Sequence, residues 1–419
     1  MKLIVSSAVN NSNVRAILSG FLEAKMLHEF YTPVASFPGS PLDLLGAIGP
    51  LADIRRRRFD LSLKPITRSW PWLEFGRQVA LKRGWAKLIE TEKGPFSIDA
   101  VFQKHDQIVK AGLKKAVKQG VSSVYSYEGM ALNTFTEAKE LGLQCIYDLP
   151  IAYWETGIRL LTEEMERLPQ WKSTLGGAGI NESAEKLERK VKEMELADVV
   201  VVSGDFVKNS IPDWAAGKPT IVSPFGTPTG GVRRKHEVEN SFKNNERPLR
   251  VLFAGSMGQR KGLSDLFKAI QVLNTSQLEL VVLGLPQNPM KFYKGELSNF
   301  TYEPVRPHDQ VLELMSTCDV FCLPSIVEGR ALVMQEAMSQ GLPLIITPNT
   351  GGSDLIIEGK TGFLVPIRSP EAIAEKLTWF LENRSAIPEM GRMAQEHAAK
   401  YTWENYQAKI VESITQLSN

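Results

Sequence analysis

Val320-Phe-Cys-Leu-Pro-Ser-Ile-Val-Glu328-Gly-Arg-Ala-Leu-Val-Met-Gln-Glu336-Ala-Met-Ser-Gln-Gly-Leu-Pro343-Leu-Ile-Ile-Thr347 reads as strand, turn, helix and strand. Val320 to Leu323 is a short unbroken apolar run, which suits a strand covered on both faces. Ala331 to Gln340 takes up a helical pattern, Gly341 ends it, and Pro343 to Thr347 is a second buried strand. Two such strands joined through a helix make a parallel unit. Within it stand two acids eight residues apart. Glu328 falls in the turn, and Glu336 lies about one turn into the helix. One acid can hold sugar hydroxyls and the other ribose hydroxyls, while the opening N–H groups of the helix face a diphosphate. The competing reading makes Glu328 an ordinary helix N-terminal acid and Glu336 part of a solvated face. The apolar setting of Ala337, Met338 and Gly341-Leu-Pro343 weighs against the latter, because a carboxylate there needs a partner.

The same alternation extends outward in both directions. In the second half, Arg250 to Ala254, Leu278 to Leu283, Val320 to Leu323 and Pro343 to Thr347 are strands. Leu263 to Leu273, Gln310 to Ser316, Pro370 to Leu381 and Trp403 to Leu417 are helices. In the first half, the strands are Leu3 to Ser7, Pro33 to Ser36, Val121 to Tyr127, Cys145 to Leu149 and Val199 to Val202. Helices are expected over Val14 to Leu27, Pro71 to Trp85, Val101 to Lys118, Ala131 to Leu141, Glu155 to Arg167 and Ser183 to Glu195. Between the halves runs a polar stretch with little apolar periodicity. The predicted organisation is α/β, with two Rossmann-like domains facing a cleft: 1–230, a linker over 231–248, 249–400, and a last helix over 401–419. Ligands of open α/β sheets lie at the carboxyl ends of the strands, so the cleft is the expected site.

A length of 419 residues agrees with two domains. No apolar run is long enough to span a bilayer, and the short apolar start reads as a strand rather than a signal peptide. Cys145, Cys318 and Cys322 lie in apolar runs without metal-ligand spacing, which suits buried thiols in a reducing, cytoplasmic setting. The net charge of +2 is unevenly spread: Leu51 to Gly120 holds 16 Lys and Arg against 7 Asp and Glu. Arg55-Arg-Arg-Arg58 and the aromatics Trp70, Trp72, Phe75 and Trp85 fall in that stretch. It is either a solvated basic face or a surface, over 55–85, for peripheral contact with an anionic membrane or a lipid-linked acceptor. No nucleic-acid recognition module is visible.

Two further pieces accompany the acid pair. Phe253-Ala-Gly255-Ser-Met-Gly-Gln-Arg260-Lys261-Gly262 follows a strand and precedes a helix. Its glycines allow a tight turn, and its cations stand beside a helix start where a diphosphate can be neutralised. Thr347-Pro-Asn-Thr-Gly351-Gly352-Ser-Asp354 and Gly362-Phe-Leu-Val-Pro366 supply another glycine turn beyond the last strand. Each piece alone is weak. As an ordered set, from Gly255 to Pro366, they resemble the C-terminal half of the family-4 retaining glycosyltransferases, which have the GT-B fold.

That resemblance implies roles. Arg260 and Lys261 would hold the donor diphosphate, Glu328 the transferred sugar, and Glu336 the ribose. Gly255 belongs to the same donor site, and the stretch Gly329, Arg330, Ala331 and Leu332 would offer backbone N–H groups to sugar and phosphate. Arg330 stands where the family usually has an aromatic. It could reach an acidic acceptor, an acidic donor sugar or a neighbouring carboxylate. In the first half, Glu128 and Asp148 fall at strand ends and are candidates to orient the acceptor hydroxyl; Glu128 also reads as a helix N-terminal acid. No Asp-x-Asp suited to a divalent metal is found, so metal independence is expected, with a nucleoside-diphosphate sugar as donor and no further cofactor. The implied activity is retaining transfer of a sugar to a hydroxyl of a glycan or lipid-linked acceptor, in cell-surface polysaccharide or glycolipid synthesis. A nucleotide-sugar epimerase of the same architecture and a non-catalytic sugar-nucleotide or glycan-binding module are the alternatives.

Overall fold

The computed structural model describes residues 1–46, 54–175, 179–228 and 247–417. The predicted linker lies outside the described residues except for 247 and 248, as do 51–53 of the basic stretch.

The first sheet comprises β1 (Leu3–Ser6), β2 (Leu27–Thr32), β3 (Thr67–Ser69), β4 (Ser123–Tyr127), β5 (Gln144–Leu149), β6 (Val199–Val202) and β7 (Thr220–Val222). Its order is β3-β2-β1-β4-β5-β6-β7, and every pairing is parallel. The second comprises β8 (Leu249–Ala254), β9 (Leu278–Leu283), β10 (Thr301–Glu303), β11 (Val320–Leu323), β12 (Leu344–Ile346) and β13 (Gly362–Leu364). Its order is β10-β9-β8-β11-β12-β13, again parallel throughout.

The helices of the first half are α1 (Ser12–Glu23), α2 (Pro41–Leu45), α3 (Trp72–Lys82), α4 (Ile98–Val117), α5 (Leu132–Glu140), α6 (Trp154–Arg167), α7 (Ala184–Leu196) and α8 (Asp205–Asn209). Those of the second are α9 (Leu263–Leu273), α10 (Met290–Glu296), α11 (His308–Ser316), α12 (Leu332–Ser339), α13 (Pro370–Glu382), α14 (Ile387–Ala398) and α15 (Trp403–Leu417).

Strand alternation explains how the first sheet is covered. Tyr125, Tyr127 and Ile146 face one apolar layer, which includes Val14, Ile17 and Phe21 of α1 and Tyr406, Ile410 and Ile414 of α15. Val124, Cys145 and Tyr147 face the opposite layer. Thus the last helix of the chain packs against the first sheet.

Two departures from the sequence reading stand out. The helix expected to run to Leu27 ends at Glu23, and the second strand is Leu27–Thr32 rather than 33–36. Lys25 takes a left-handed φ of 56°, and the Met26 N–H reaches the Phe21 carbonyl at 2.8 Å. This closes the helix in the manner usually signalled by glycine, which is absent here. Second, α6 and the turn after it leave the first sheet to join the second domain. Leu168 and Trp171 lie in the second domain's apolar core, and the Trp171 indole donates to Glu296 at 2.7 Å. Another apolar cluster joins Leu160, Leu161 and Leu175 to Ile326 and Val327 of the acid-bearing turn.

Candidate functional site

The carboxyl ends of β8 and β11 create the donor side. After β8, Gly255 adopts φ 153°, and a Cβ on the facing Gly284 would lie 1.7 Å from the Gly255 carbonyl oxygen. Gly262 (φ 73°) then turns the chain into α9, close under the Pro324 carbonyl. Between them, Arg260 and Lys261 both direct their charge at one oxygen of Glu328. Arg260 also donates to the Val327 carbonyl at 3.0 Å. Burial pushes the Lys261 ammonium below its ordinary pKa, and the Glu328 charge opposes that shift. Glu328 is therefore held by two side-chain cations rather than by a helix dipole alone.

The sequence placed Arg260 and Lys261 beside open helix N–H groups. In α9 the Ser264 N–H is taken by the Gln259 side-chain oxygen at 3.0 Å. Gln259 in turn donates to Glu164 (2.7 Å) and Asp265 (2.8 Å), and Arg167 bridges the same two acids. Its own N–H is held by Thr174 at 3.0 Å. Residues from the first half of the chain thus fix the loop that presents the two cations. Sequence reasoning had no access to Gln259, Glu164 or Thr174 because their partners lie far apart in the chain.

A cavity of about 450 Å³ opens beside this loop. Gly255, Arg260, Lys261, Ala331 and Leu332 line it. Leu285, Val305, Arg306 and Val311, which follow strands or open the next helix, also line it. Those four were missed; their position after β9 and β10 was the available signal. The lining thus joins three cations, Arg260, Lys261 and Arg306, to apolar side chains. Leu332 lies at the start of α12, where first-turn N–H groups have no partner within the helix. Glu336 follows one turn later, and His308 Nδ1 stands 3.7 Å from its carboxylate. Burial raises the Glu336 pKa, and His308 opposes the shift.

Arg330, like Glu328, Gly329 and Glu336, is not among the residues that line the cavity. Its guanidinium is buried. It donates to Asp354 (2.7 and 3.1 Å), the Gly351 carbonyl (2.9 Å) and the Gln335 side chain (3.0 Å), and lies over the Tyr401 ring. Of the three partners expected for it, the neighbouring carboxylate is the one observed. Gln335 continues the network to the Phe225 carbonyl and the Thr227 hydroxyl, where the chain leaves the first domain.

The first domain reaches this turn directly. A Cβ on Gly329 would lie 1.9 Å from the Pro150 carbonyl oxygen, so only glycine permits the approach. Glu128 follows β4 and is nearly buried. Its Oε1 has no hydrogen-bond partner, with Lys190 3.9 Å away, and burial raises its pKa. It borders a cavity of about 380 Å³ that also reaches Gln103, Lys186 and Arg189. The loop carrying Glu128 is fixed by Glu193, which accepts the N–H groups of Gly129, Ala131 and Leu132 at 2.7, 2.9 and 3.2 Å.

Asp148 is a correction to the acceptor side. It pairs in register with Tyr127 and Val201, whose side chains face the α1 and α15 layer. The Tyr125 hydroxyl donates to it, and burial raises its pKa to about 7. It is a core acid under the last helix, not a cleft acid. Among the described residues no group of three or more His, Cys, Asp or Glu is placed to hold a metal ion, and no helix is long and apolar enough to cross a membrane.

Comparison with known proteins agrees with this architecture. Residues 234–400 match the family described as glycosyl transferases group 1. A D-inositol 3-phosphate glycosyltransferase of Corynebacterium urealyticum is 35% identical over 112 residues, covering 27% of this chain and 26% of that protein. The sulfoquinovosyl transferase SQD2 of Arabidopsis thaliana is 31% identical over 183 residues, covering 42% of this chain and 35% of that protein. The chain thus spans well under half the length of these two relatives. Two solved structures superpose over nearly the whole chain. A sucrose-phosphate synthase of Thermosynechococcus elongatus has a TM-score of 0.65 at 18% identity, covering 100% of this chain and 99% of that one. Anabaena Alr3699/HepE in complex with UDP has a TM-score of 0.62 at 14% identity, covering 99% and 100%. The fold is GT-B, and the matched residues 234–400 lie largely in the second domain.

Proposed function

We propose that this protein is a retaining, metal-independent glycosyltransferase that moves a hexosyl or related sugar from a nucleoside-diphosphate sugar to a hydroxyl acceptor. The observation that supports it best is the joint hold of Arg260 and Lys261 on Glu328, with both cations lining a cavity of about 450 Å³. A diphosphate would exchange for part of that hold, the base would lie against the apolar lining, and Glu328 would turn to the sugar hydroxyls. Glu336 is assigned to the ribose. Breakage of the bond from the sugar C1 to the diphosphate oxygen leaves added negative charge, which Arg260 and Lys261 stabilise. The acceptor oxygen bonds to C1 on the same face, and its proton passes to the departing phosphate. Glu128 orients the acceptor hydroxyl, and no protein nucleophile is required.

The acceptor is assigned as a glycan or lipid-linked saccharide, used at the cytoplasmic face of a membrane. The surface over 55–85 supports this in a modified form. Arg55 and Arg58 face Asp43, Arg57 and Arg77 face Glu74, and Arg68 faces Glu29. Much of the Arg run is therefore balanced internally. Trp70, Trp72 and Trp85 are exposed, beside the exposed Lys82, Arg83 and Lys87. Indole rings and cations together suit an anionic bilayer surface.

Purified protein incubated with a panel of nucleotide sugars and alkyl glycosides should release a nucleoside diphosphate only when an acceptor is present. Formation of a free epimeric sugar, or binding without turnover, would overturn the assignment. For the surface, flotation with phosphatidylglycerol-containing vesicles at low salt should succeed and be lost on joint Trp72→Ser and Trp85→Ser substitution.

A further inference from the structure

A small cavity of about 70 Å³ lies between the two sites described above. Glu128 borders it from the first domain, and Arg260 and Val327 from the second. Its remaining wall is supplied largely by the first turns of α6, through Trp154, Gly157, Ile158 and Leu161. The larger cavity beside Glu128 shares Glu128, Glu182 and Lys190 with it. The small cavity therefore stands where a hydroxyl passing Glu128 would approach the diphosphate cations.

Gly157 is unusual among the glycines nearby. Gly262, Gly329 and Gly351 are each required because a Cβ would collide with backbone. At Gly157 a Cβ would meet nothing within 4 Å, and its φ is not left-handed. It lies in the fourth position of α6, where alanine would favour the helix more than glycine does. Neither the backbone nor a neighbouring side chain calls for a glycine here. The consequence of having one is open space on the cavity wall.

Glu128 supplies an independent sign of a ligand. Its Oε1 is buried without a hydrogen-bond donor, and such an oxygen is satisfied when a hydroxyl group approaches it. Ile151, Ile158, Leu161 and Val327 add apolar wall, and Glu182, Lys190 and Arg260 add charged groups. A group with hydroxyls beside C–H surface matches that lining, as the edge of a saccharide ring does.

We propose that Gly157 is a specificity-determining residue that keeps room for the hydroxyl-bearing edge of a saccharide acceptor between Glu128 and Arg260. This rests on the transferase reading, and α6 acts here as part of the acceptor site although its far end is embedded in the donor domain. Leucine adds four carbons, and alanine one, at the wall of a cavity of about 70 Å³.

The test measures two properties of each variant. Binding of UDP, GDP and ADP is followed by calorimetry. Transfer is followed with the nucleotide sugar and alkyl glycoside that give the fastest release with the unmodified protein. Gly157→Leu should keep nucleoside-diphosphate affinity within about twofold while the acceptor kcat/KM falls at least tenfold. Gly157→Ala should fold at least as stably and lose far less. Gly157→Cys offers a second route, because Cys145, Cys318 and Cys322 are buried. Iodoacetamide should then abolish transfer in this variant only and leave nucleotide binding in place. Wild-type transfer in Gly157→Leu, or a parallel loss of nucleotide affinity and transfer, would overturn the inference alone. An unmodified protein that binds none of the three nucleotides would overturn the transferase reading, and this proposal with it.

Discussion

Replacement of Glu328 by glutamine should strengthen nucleoside-diphosphate binding and weaken catalysis. Arg260 and Lys261 both point at one Glu328 oxygen, so an incoming diphosphate meets two cations already shared with an anion. A phosphate oxygen bonded at ~2.8 Å to the far side of the same guanidinium would lie about 5 Å from that carboxylate. Like charges at this spacing repel by about 3 kcal/mol at an effective dielectric of ~20. Salt and relaxation of the loop reduce the gain to roughly 1.4–3 kcal/mol, or about 10- to 150-fold in affinity. Glutamine retains an oxygen that can accept from the guanidinium, so the loop keeps a partner. Transfer at saturating donor should nevertheless fall by roughly 100- to 1000-fold, because the sugar loses a charged hydrogen-bond partner. Calorimetry with UDP, GDP and ADP gives the first quantity, and steady-state release of the diphosphate gives the second. Unchanged or weaker affinity for all three nucleotides would refute the competition argument. An unaltered turnover would remove Glu328 from the reacting sugar.

Glu336→Ala should weaken nucleoside-diphosphate binding at least ~10-fold, from loss of about 1.5–3 kcal/mol of charged hydrogen bonding. Because burial raises the Glu336 pKa, wild-type affinity should also increase as pH rises through that value; a flat profile together with an unaffected alanine variant would count against the ribose role. Asp148 has a folded-state pKa of about 7 against an ordinary 3.8, so its contribution to stability is greatest below pH ~4 and declines as pH rises to ~7. Asp148→Asn should therefore gain up to about 4 kcal/mol over wild type at pH 8 and much less at pH 4, by denaturant titration; equal differences at both pH values would exclude this cause. Arg330→Phe, which installs the usual family residue, should destabilise the protein by roughly 2–4 kcal/mol because Asp354, Gln335 and Gly351 lose their common donor. A melting temperature equal to wild type would show that the network contributes nothing.

Local pattern made much of the fold legible. Val199–Val202, Leu263–Leu273, Leu278–Leu283, Val320–Leu323 and Trp403–Leu417 have the bounds expected from their apolar periodicity. These elements bury strong aliphatic stripes. The edge strands Thr67–Ser69, Thr220–Val222, Thr301–Glu303 and Gly362–Leu364 were missed because three residues cannot show a period. Helix Ile387–Ala398 was missed for a different reason. Pro388 and Gly391 obscure it, yet Gly391 is needed where the helix meets Gly341: a Cβ there would lie 2.2 Å from the Gly341 carbonyl. One site assignment failed at a strand boundary. Asp148 was placed in the cleft because it ends a strand, but pleating turns it toward α1 and α15. For Arg330 a neighbouring carboxylate was one of three expected side-chain partners, and its side chain leaves in the direction of Asp354.

Arg330 also shows why adjacency and role diverge in this turn. Gly329 packs under Pro150 of the first domain, while Gly351 packs on the Gly329 carbonyl. The backbone of the acid-bearing turn is thus confined from both sides. The guanidinium fits beside it because its donors satisfy a carbonyl, a carboxylate and an amide at once. The amide, Gln335, extends the hold to Phe225 and Thr227. Thr227 also meets the returning chain through the Ala398 and Tyr401 carbonyls. The position after Glu328 and Gly329 therefore binds the donor turn to both chain crossings between the domains. A movement of one domain against the other would load this network, and the orientation of Glu328 would respond through the two intervening backbone units. That coupling explains how a buried arginine can matter to the site without facing it.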